Sequence, residues 1–163
     1  MKLPESLKQD PIVEALESRA PGSLLAGKFD RGELTIEVAA EQITAVCRIL
    51  KDELQFVRLS GITAVDRYPN EPRFEVVYHL HSLERNARLR LKCPLGGEGP
   101  EIDSVTGSWR AADWYEREVF DLFGVAFRNH PNLQRILMPA DWEGHPLRKD
   151  YPVHGYRYSY LNE

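Results

Sequence analysis

The chain has 163 residues, 42% of them hydrophobic and 28% charged, with a net charge of -4. That length and balance fit one folded unit with a buried core and exclude disorder over most of the chain. The acidic balance disfavours nucleic-acid phosphate as a partner. Two cysteines, Cys47 and Cys93, are too few for an iron–sulfur cluster, a four-cysteine zinc site or a secreted disulfide framework.

Residues 11–19 predict a short helix begun at Pro11, with Ile12, Val13 and Leu16 on one side. From Gly32 to Val38, Leu34, Ile36 and Val38 alternate with charged or polar residues, the pattern of a half-buried strand. Glu41 to Leu54 follows the helical period through Ile43, Val46, Cys47, Leu50 and Leu54. Phe56 to Asp66 reads as a strand in which Gly61 marks a bulge. Two further alternating runs, Phe74 to Leu80 and Ala87 to Cys93, flank a polar turn and predict an antiparallel hairpin. The predicted helix 41–54 covers the apolar face of that sheet. Pro94 to Pro100 is glycine-rich and reads as a connection that ends the sheet. It lacks the Lys-Ser/Thr ending of a phosphate loop. A helix is predicted over Ser108 to Phe123, capped by Gly124, with Arg117 paired to Asp113 and Asp121 four residues to either side. Beyond it, Pro131, Pro139, Pro146 and Pro152 permit only turns and extended pieces.

No stretch reaches the roughly 18 apolar residues of a membrane span. Met1 to Glu5 carries no apolar signal core. The expectation is a soluble chain in a reducing compartment, held at a membrane only through partners. The fold class expected is α+β: an antiparallel sheet packed with helices over residues 1–124, then an irregular extended arm over 125–163.

Candidate chemistry is sparse. His79 and His81 share a strand face without a visible third metal ligand, so they read as a surface pair. His130, His145 and His154 read as hydrogen-bonding structural residues rather than bases. Glu116 and Glu118, two apart on a helix, point away from each other and do not form an acid–base pair. Cys47 lies on an apolar helix face and reads as an inert thiol. The row Arg88, Arg90 and Lys92 has no aromatics beside it for base stacking, which favours a solvated face over RNA binding.

The aromatics are unevenly placed. Of 3 Trp, 7 Tyr and 6 Phe, only Phe29, Phe56, Tyr68, Phe74 and Tyr78 precede Trp109. Trp, Tyr and Arg are enriched at interface hot spots. Physics alone leaves open whether the arm lies across a partner protein or wraps over its own domain.

The wording of this region is distinctive: Trp114-Tyr115-Glu116-Arg117-Glu118-Val119-Phe120-Asp121-Leu122-Phe123-Gly124-Val125, then Phe127, His130-Pro131-Asn132-Leu133, Arg135-Ile136-Leu137-Met138 and Asp141-Trp142-Glu143-Gly144-His145-Pro146-Leu147-Arg148-Lys149-Asp150-Tyr151-Pro152. It closely resembles the 30 kDa subunit family, the C subunit, of the proton-pumping NADH–quinone oxidoreductase, respiratory complex I. At Gln134 the chain departs from the basic residue usual in that family. The resemblance implies a non-catalytic component of the hydrophilic arm, packed chiefly against the D subunit at the quinone site, with the B and I subunits also near. It implies that this chain binds no cofactor or metal, while the complex carries NADH, FMN, iron–sulfur clusters and quinone. It implies a peripheral place at the cytoplasmic face of a bacterial inner membrane. It marks Trp114, Glu116, Arg117, Glu118, Asp121, Phe123, Gly124, His130, Pro131, Arg135, Asp141, Trp142, Gly144, His145, Pro146, Arg148, Lys149, Asp150, Tyr151 and Pro152 as signature and subunit-contact positions. It implies further that the quinone-site partner does most of the ordering of the arm. Asp141 and Asp150 are expected to cap turns or pair with Arg148 and Lys149. Rival readings are the equivalent subunit of a membrane-bound hydrogenase or of a ferredoxin- or F420-linked dehydrogenase. From another class come a free-standing small-molecule enzyme or an RNA-binding module, for which no site signature is visible.

Overall fold

The computed structural model describes residues 3–156. The first helix, α1 (Pro11–Arg19), starts where expected. The Asp10 carboxylate accepts the Ile12 N–H at 2.9 Å, Pro11 presets the first turn, and Val13 and Leu16 are buried. Strand β1 (Leu24–Asp30) had no alternation to betray it. It is an edge strand with Phe29 61% exposed, and Leu3 and Leu7 fill the space over Gly27. It turns into β2 (Glu33–Val38) through Arg31 and Gly32, whose positive φ angles (51° and 80°) suit a tight hairpin.

The predicted helix 41–54 is three consecutive geometries. A tight turn (Ala40–Gln42) leads into α2 (Ile43–Arg48), and the helix then widens over Ile49–Glu53, where the Leu54 N–H reaches back to the Ile49 carbonyl. The widening keeps Leu50 and Leu54 buried together with Phe56. Strand β3 (Arg58–Asp66) carries the bulge expected near Gly61, seen as a register shift between Leu59 and Gly61. Strands β4 (Phe74–Ser82) and β5 (Ala87–Leu95) form the predicted hairpin, each longer than the alternation suggested. Pro94 lies inside β5 opposite Glu75 rather than ending it.

The sheet order is β1-β2-β5-β4-β3. It is mixed, not wholly antiparallel, because β2 runs parallel to β5 with Leu34 opposite Leu89 and Glu37 opposite Lys92. One sheet face holds the core: Leu34, Ile36, Val76, Tyr78, Leu80, Leu89, Leu91 and Cys93 pack with Val46, Cys47, Leu50 and Phe56. Both cysteines are free and buried, and burial pushes both thiols up.

Behind the sheet, β6 (Glu101–Asp103), α3 (Ala112–Phe123) and β7 (Ala126–Arg128) form a small unit in which the two short strands pair in parallel. Val125 and Phe127, assigned to the arm by sequence, sit in the core. Helix α3 lies along β3, where the Tyr115 hydroxyl donates to the Ser60 carbonyl at 3.3 Å. The Lys51 ammonium donates to the Ser108 carbonyl and ties the widened turn Ile49–Glu53 to the entrance of α3.

Candidate functional site: the junction of α3 and the C-terminal arm

Helix α3 ends at Gly124, which takes φ 72°. A Cβ there would collide with Arg148 and His145, because both side chains close over the helix end. Arg148 Nε donates to the Phe123 carbonyl at 2.6 Å and Nη2 to the Gly124 carbonyl at 3.3 Å. His145 Nδ1 meets the Asp121 carbonyl at 2.9 Å, and the Leu147 N–H donates to the Leu122 carbonyl at 3.0 Å. Carbonyls left unpaired by the helix are thus taken up by the arm, with a cation at the negative end of the helix dipole.

Asp121 is the anchor. Its carboxylate is fully buried and accepts the N–H groups of Ile136, Leu137 and Met138 at 2.8–2.9 Å, and Arg135 Nη1 at 2.7 Å. Burial opposes the charge, but the Met138 N–H, the Arg135 guanidinium and the Leu137 and Ile136 N–H groups outweigh it and hold the pKa below the ordinary value. Arg135 spends its remaining donors on the Trp142 and Gly144 carbonyls at 3.0 and 2.9 Å. One ion pair therefore gathers three stretches of irregular chain.

Arg117 does not form the predicted ladder. Asp121 is consumed by Arg135 and the arm backbone. Arg117 turns to the Gln134 and Arg135 carbonyls (3.2 and 3.5 Å) and stacks on Trp114.

A second anchor comes from the sheet. Arg73 grips Asp66 with Nε and Nη2 (3.0 and 2.9 Å) and Asp150 with Nη1 and Nη2 (3.0 and 2.6 Å). Asp66 also accepts the Lys149 and Tyr68 N–H groups at 2.8 and 2.9 Å. Asp150 thus pairs with Arg73 rather than Arg148 or Lys149, because Arg148 is committed to the end of α3 and to the Phe74 ring. Burial raises the Asp66 pKa, but Arg73 and the two N–H donors prevail and lower it to about 2. Asp66 and Arg73 carried no periodic signal in the sequence. They lie at the end of β3 and just before β4, where the hydrophobic pattern is silent.

Glu116 and Glu118 do point apart. Glu118 is exposed. Glu116 is fully buried, accepting the Ser104 hydroxyl at 2.6 Å and the Val105 N–H at 2.7 Å. Burial is the main influence on its carboxyl, which is pushed up to about 7. His130 lies 3.7 Å away. The Asn132 N–H donates to His130 Nδ1, so Nε2 carries the proton and donates to the Asp113 carbonyl at 3.2 Å.

Tyr151 packs edge-on against Tyr156 at 5.2 Å, and both rings close over Gly144. Pro131 is exposed and Phe123, Trp142, Pro146 and Pro152 are half-buried. The outer surface of the junction stays apolar: Trp114 is 61% exposed, Leu137 60%, Leu147 51%, Val153 95% and Tyr156 60%. The end of the arm from residue 157 lies outside the described residues.

Residues 36–157 match a family described as respiratory-chain NADH dehydrogenase, 30 Kd subunit. The C subunit of NADH-quinone oxidoreductase from Citrifermentans bemidjiense is 50% identical over 143 residues, covering 88% of this chain and 89% of the relative. Its counterpart in Geotalea uraniireducens is 48% identical, covering 88% and 87%. Among solved structures, a trypsin-resistant fragment of Nqo5 aligns with a TM-score of 0.63 at 30% identity, covering 74% of this chain and 97% of that one. A chain of the membrane-bound sulfane sulfur reductase, an archaeal respiratory membrane complex, aligns at 0.77 and 32%, covering 90% and 86%. With the domain, the α3 anchor and these relatives agreeing over most of its length, the chain belongs to the 30 kDa subunit family of the respiratory-chain NADH dehydrogenase.

Proposed function

We propose that this chain is a non-catalytic component of the hydrophilic arm of an NADH–quinone oxidoreductase, where it packs chiefly against the D subunit at the quinone site and also neighbours the B and I subunits. NADH, FMN, iron–sulfur clusters and quinone then belong to other subunits. The chain sits peripherally at the cytoplasmic face of the inner membrane, held there by the complex. The observation that carries this reading is the α3–arm junction. Asp121, Arg135, Arg148 and Arg73 use their charges internally, while Trp114, Leu137, Leu147, Val153 and Tyr156 remain exposed on the outside. A clamped, irregular segment with an apolar outer surface suits docking, because its ordering cost is met before the partner arrives. The signature positions from Trp114 to Pro152 then act mostly by shaping this surface.

A second reading, the equivalent subunit of a related respiratory complex, is favoured by the fold similarity to a chain of the sulfane sulfur reductase. Affinity purification of the tagged chain from mild-detergent membranes separates them. Recovery of the B, D and I subunits with NADH–quinone activity is expected. Recovery with hydrogenase or sulfur-reducing components supports the second reading, and recovery of the chain alone sinks both.

A further inference from the structure

The face of the five-stranded sheet opposite the core carries a cation-rich groove of about 430 Å³, open to solvent. Register places its groups. Arg58 on β3 lies opposite His81 on β4, which lies opposite Arg88 on β5; one step along, Gly61 faces His79, and His79 faces Arg90. Among the described residues Glu33 is the only carboxylate lining it. Glu33 binds Arg90 at 2.9 Å and lies 3.9 Å from Arg88, so one acid stands against three guanidiniums. Among the described residues the Arg58 side chain has no ion-pair or hydrogen-bond partner. On a chain of net charge -4, this is a local reversal of sign.

We propose that this groove binds an acidic polypeptide segment in extended conformation, its alternate carboxylates held by Arg58, Arg88 and Arg90 and hydrogen-bonded by His79 and His81. Three observations select that occupant. Arg88 and Arg90 stand two residues apart on one strand, a repeat of about 6.8 Å, and carboxylates at alternate positions of an extended segment share that repeat. Arg58 and Arg88 flank His81 on three neighbouring strands, their backbones about 9.6 Å apart, a width that the side chains of an extended segment can span. Asp30 lies opposite Glu33 on the β1–β2 flank, outside the groove lining, so a broad anionic surface would also meet that carboxylate, which a narrow segment avoids. Guanidinium forks suit carboxylates geometrically.

His79, seated between Gly61 and Arg90, makes the site pH-sensitive. Burial first, and the charge of Arg90 second, hold the His79 pKa below its ordinary value, with Glu33 opposing. His79 faces Arg90 on β5 and Gly61 on β3, with Arg58, His81 and Arg88 in the next row. An incoming carboxylate favours the protonated imidazole, so binding tightens as pH falls through the histidine range.

Binding at this groove does not depend on which complex the chain serves, and the isolated full chain suffices to test it. An acetylated Glu-Thr-Glu-Thr-Glu-Thr peptide is titrated into isotopically labelled protein and amide resonances are followed. The expected result is movement at Gly61, His79 and Arg90 and tighter binding from about pH 8 to about pH 6. Weakening of about tenfold is expected for each of Arg58→Glu and Arg88→Glu. Arg48→Glu, on the helix covering the opposite sheet face, should leave binding unchanged. The milder Arg58→Gln serves if either reversal perturbs the rest of the spectrum. No movement, or equal weakening by Arg48→Glu, overturns the proposal. So does a stronger response of these resonances to inorganic pyrophosphate or to phosphatidylglycerol vesicles than to the peptide, which assigns the groove to phosphate or to a membrane surface.

Discussion

Asp121 and Arg135 form an ion pair at 2.7 Å in which the carboxylate side chain is completely buried and the guanidinium is 15% exposed. Removing one member of such a pair leaves the other without compensation, and that usually costs about 3–5 kcal/mol. Arg135→Ala should therefore lower stability by about 3 kcal/mol in urea unfolding. Arg135→Lys should recover only part of it, because an ammonium cannot reach Asp121 and the Trp142 and Gly144 carbonyls together. Full rescue by lysine would mean that charge alone, not the fork, holds the arm.

The three N–H donors to Asp121 give a separate forecast for the isolated chain. The resemblance leads to the expectation that residues 125–163 exchange freely without a partner. The geometry instead predicts slow exchange at Ile136, Leu137 and Met138, with Asp121→Asn speeding all three together. Rapid exchange at these amides in the isolated wild-type chain would mean that a partner is needed to form the junction.

Gly124 and Gly22 separate two costs that glycine usually hides. Both have positive φ, 72° and 77°, but a Cβ at Gly22 meets nothing within 4 Å, whereas at Gly124 it meets Arg148 and His145. Alanine at either site incurs about 1–2 kcal/mol for the left-handed backbone. Gly124→Ala should cost clearly more than Gly22→Ala in thermal or urea unfolding, the excess being the displacement of Arg148 from the Phe123 carbonyl. Equal costs would show that the arm yields freely at that point.

Much of the sheet was legible because its strands are amphipathic. Phe74, Val76, Tyr78 and Leu80, and Leu89, Leu91 and Cys93, alternate into one core. What period-2 reading cannot supply is direction, so the parallel joint between β2 and β5 was not visible. Strand β1 was missed because an edge strand with an exposed Phe29 has no need to alternate. At the site, helical spacing suggested Arg117 with Asp121. The true partner, Arg135, lies in a segment with no period, where hydrogen bonding to backbone decides the structure. Asp66 and Arg73 were silent for the same reason.

The exposed apolar residues of the junction should matter for assembly and not for folding. Trp114→Ala and Val153→Glu remove side chains that are 61% and 95% exposed. Each is expected to change stability by no more than about 0.5–1 kcal/mol, the upper end for Trp114 because its ring stacks on Arg117. In membranes, the same variants should recover fewer partner subunits with the tagged chain. Normal recovery by both variants would move the docking surface elsewhere.

Glu116 gives the chain a pH dependence opposite to that of its other buried carboxylates. Its folded pKa is about 7, above the ordinary value of 4.5, because burial disfavours the charge more than Ser104 and Val105 support it. The folded state therefore holds a proton that the unfolded state has released between these two values. The associated stability is fully present below about pH 4.5 and is lost as pH rises through about 7, with a limiting slope near 1.4 kcal/mol per pH unit. Asp66 runs the other way: its pKa of about 2 makes its contribution complete above about pH 4 and lost only in stronger acid. Between pH 5 and 8, roughly the window where Glu116 acts alone among these two, the wild type should lose on the order of 3 kcal/mol relative to Glu116→Gln. Glutamine keeps an acceptor for the Val105 N–H without the ionisation. Urea unfolding of both proteins across this range measures the difference directly. Parallel stability curves would place the Glu116 pKa near that of an ordinary glutamate and locate its proton release well below neutrality.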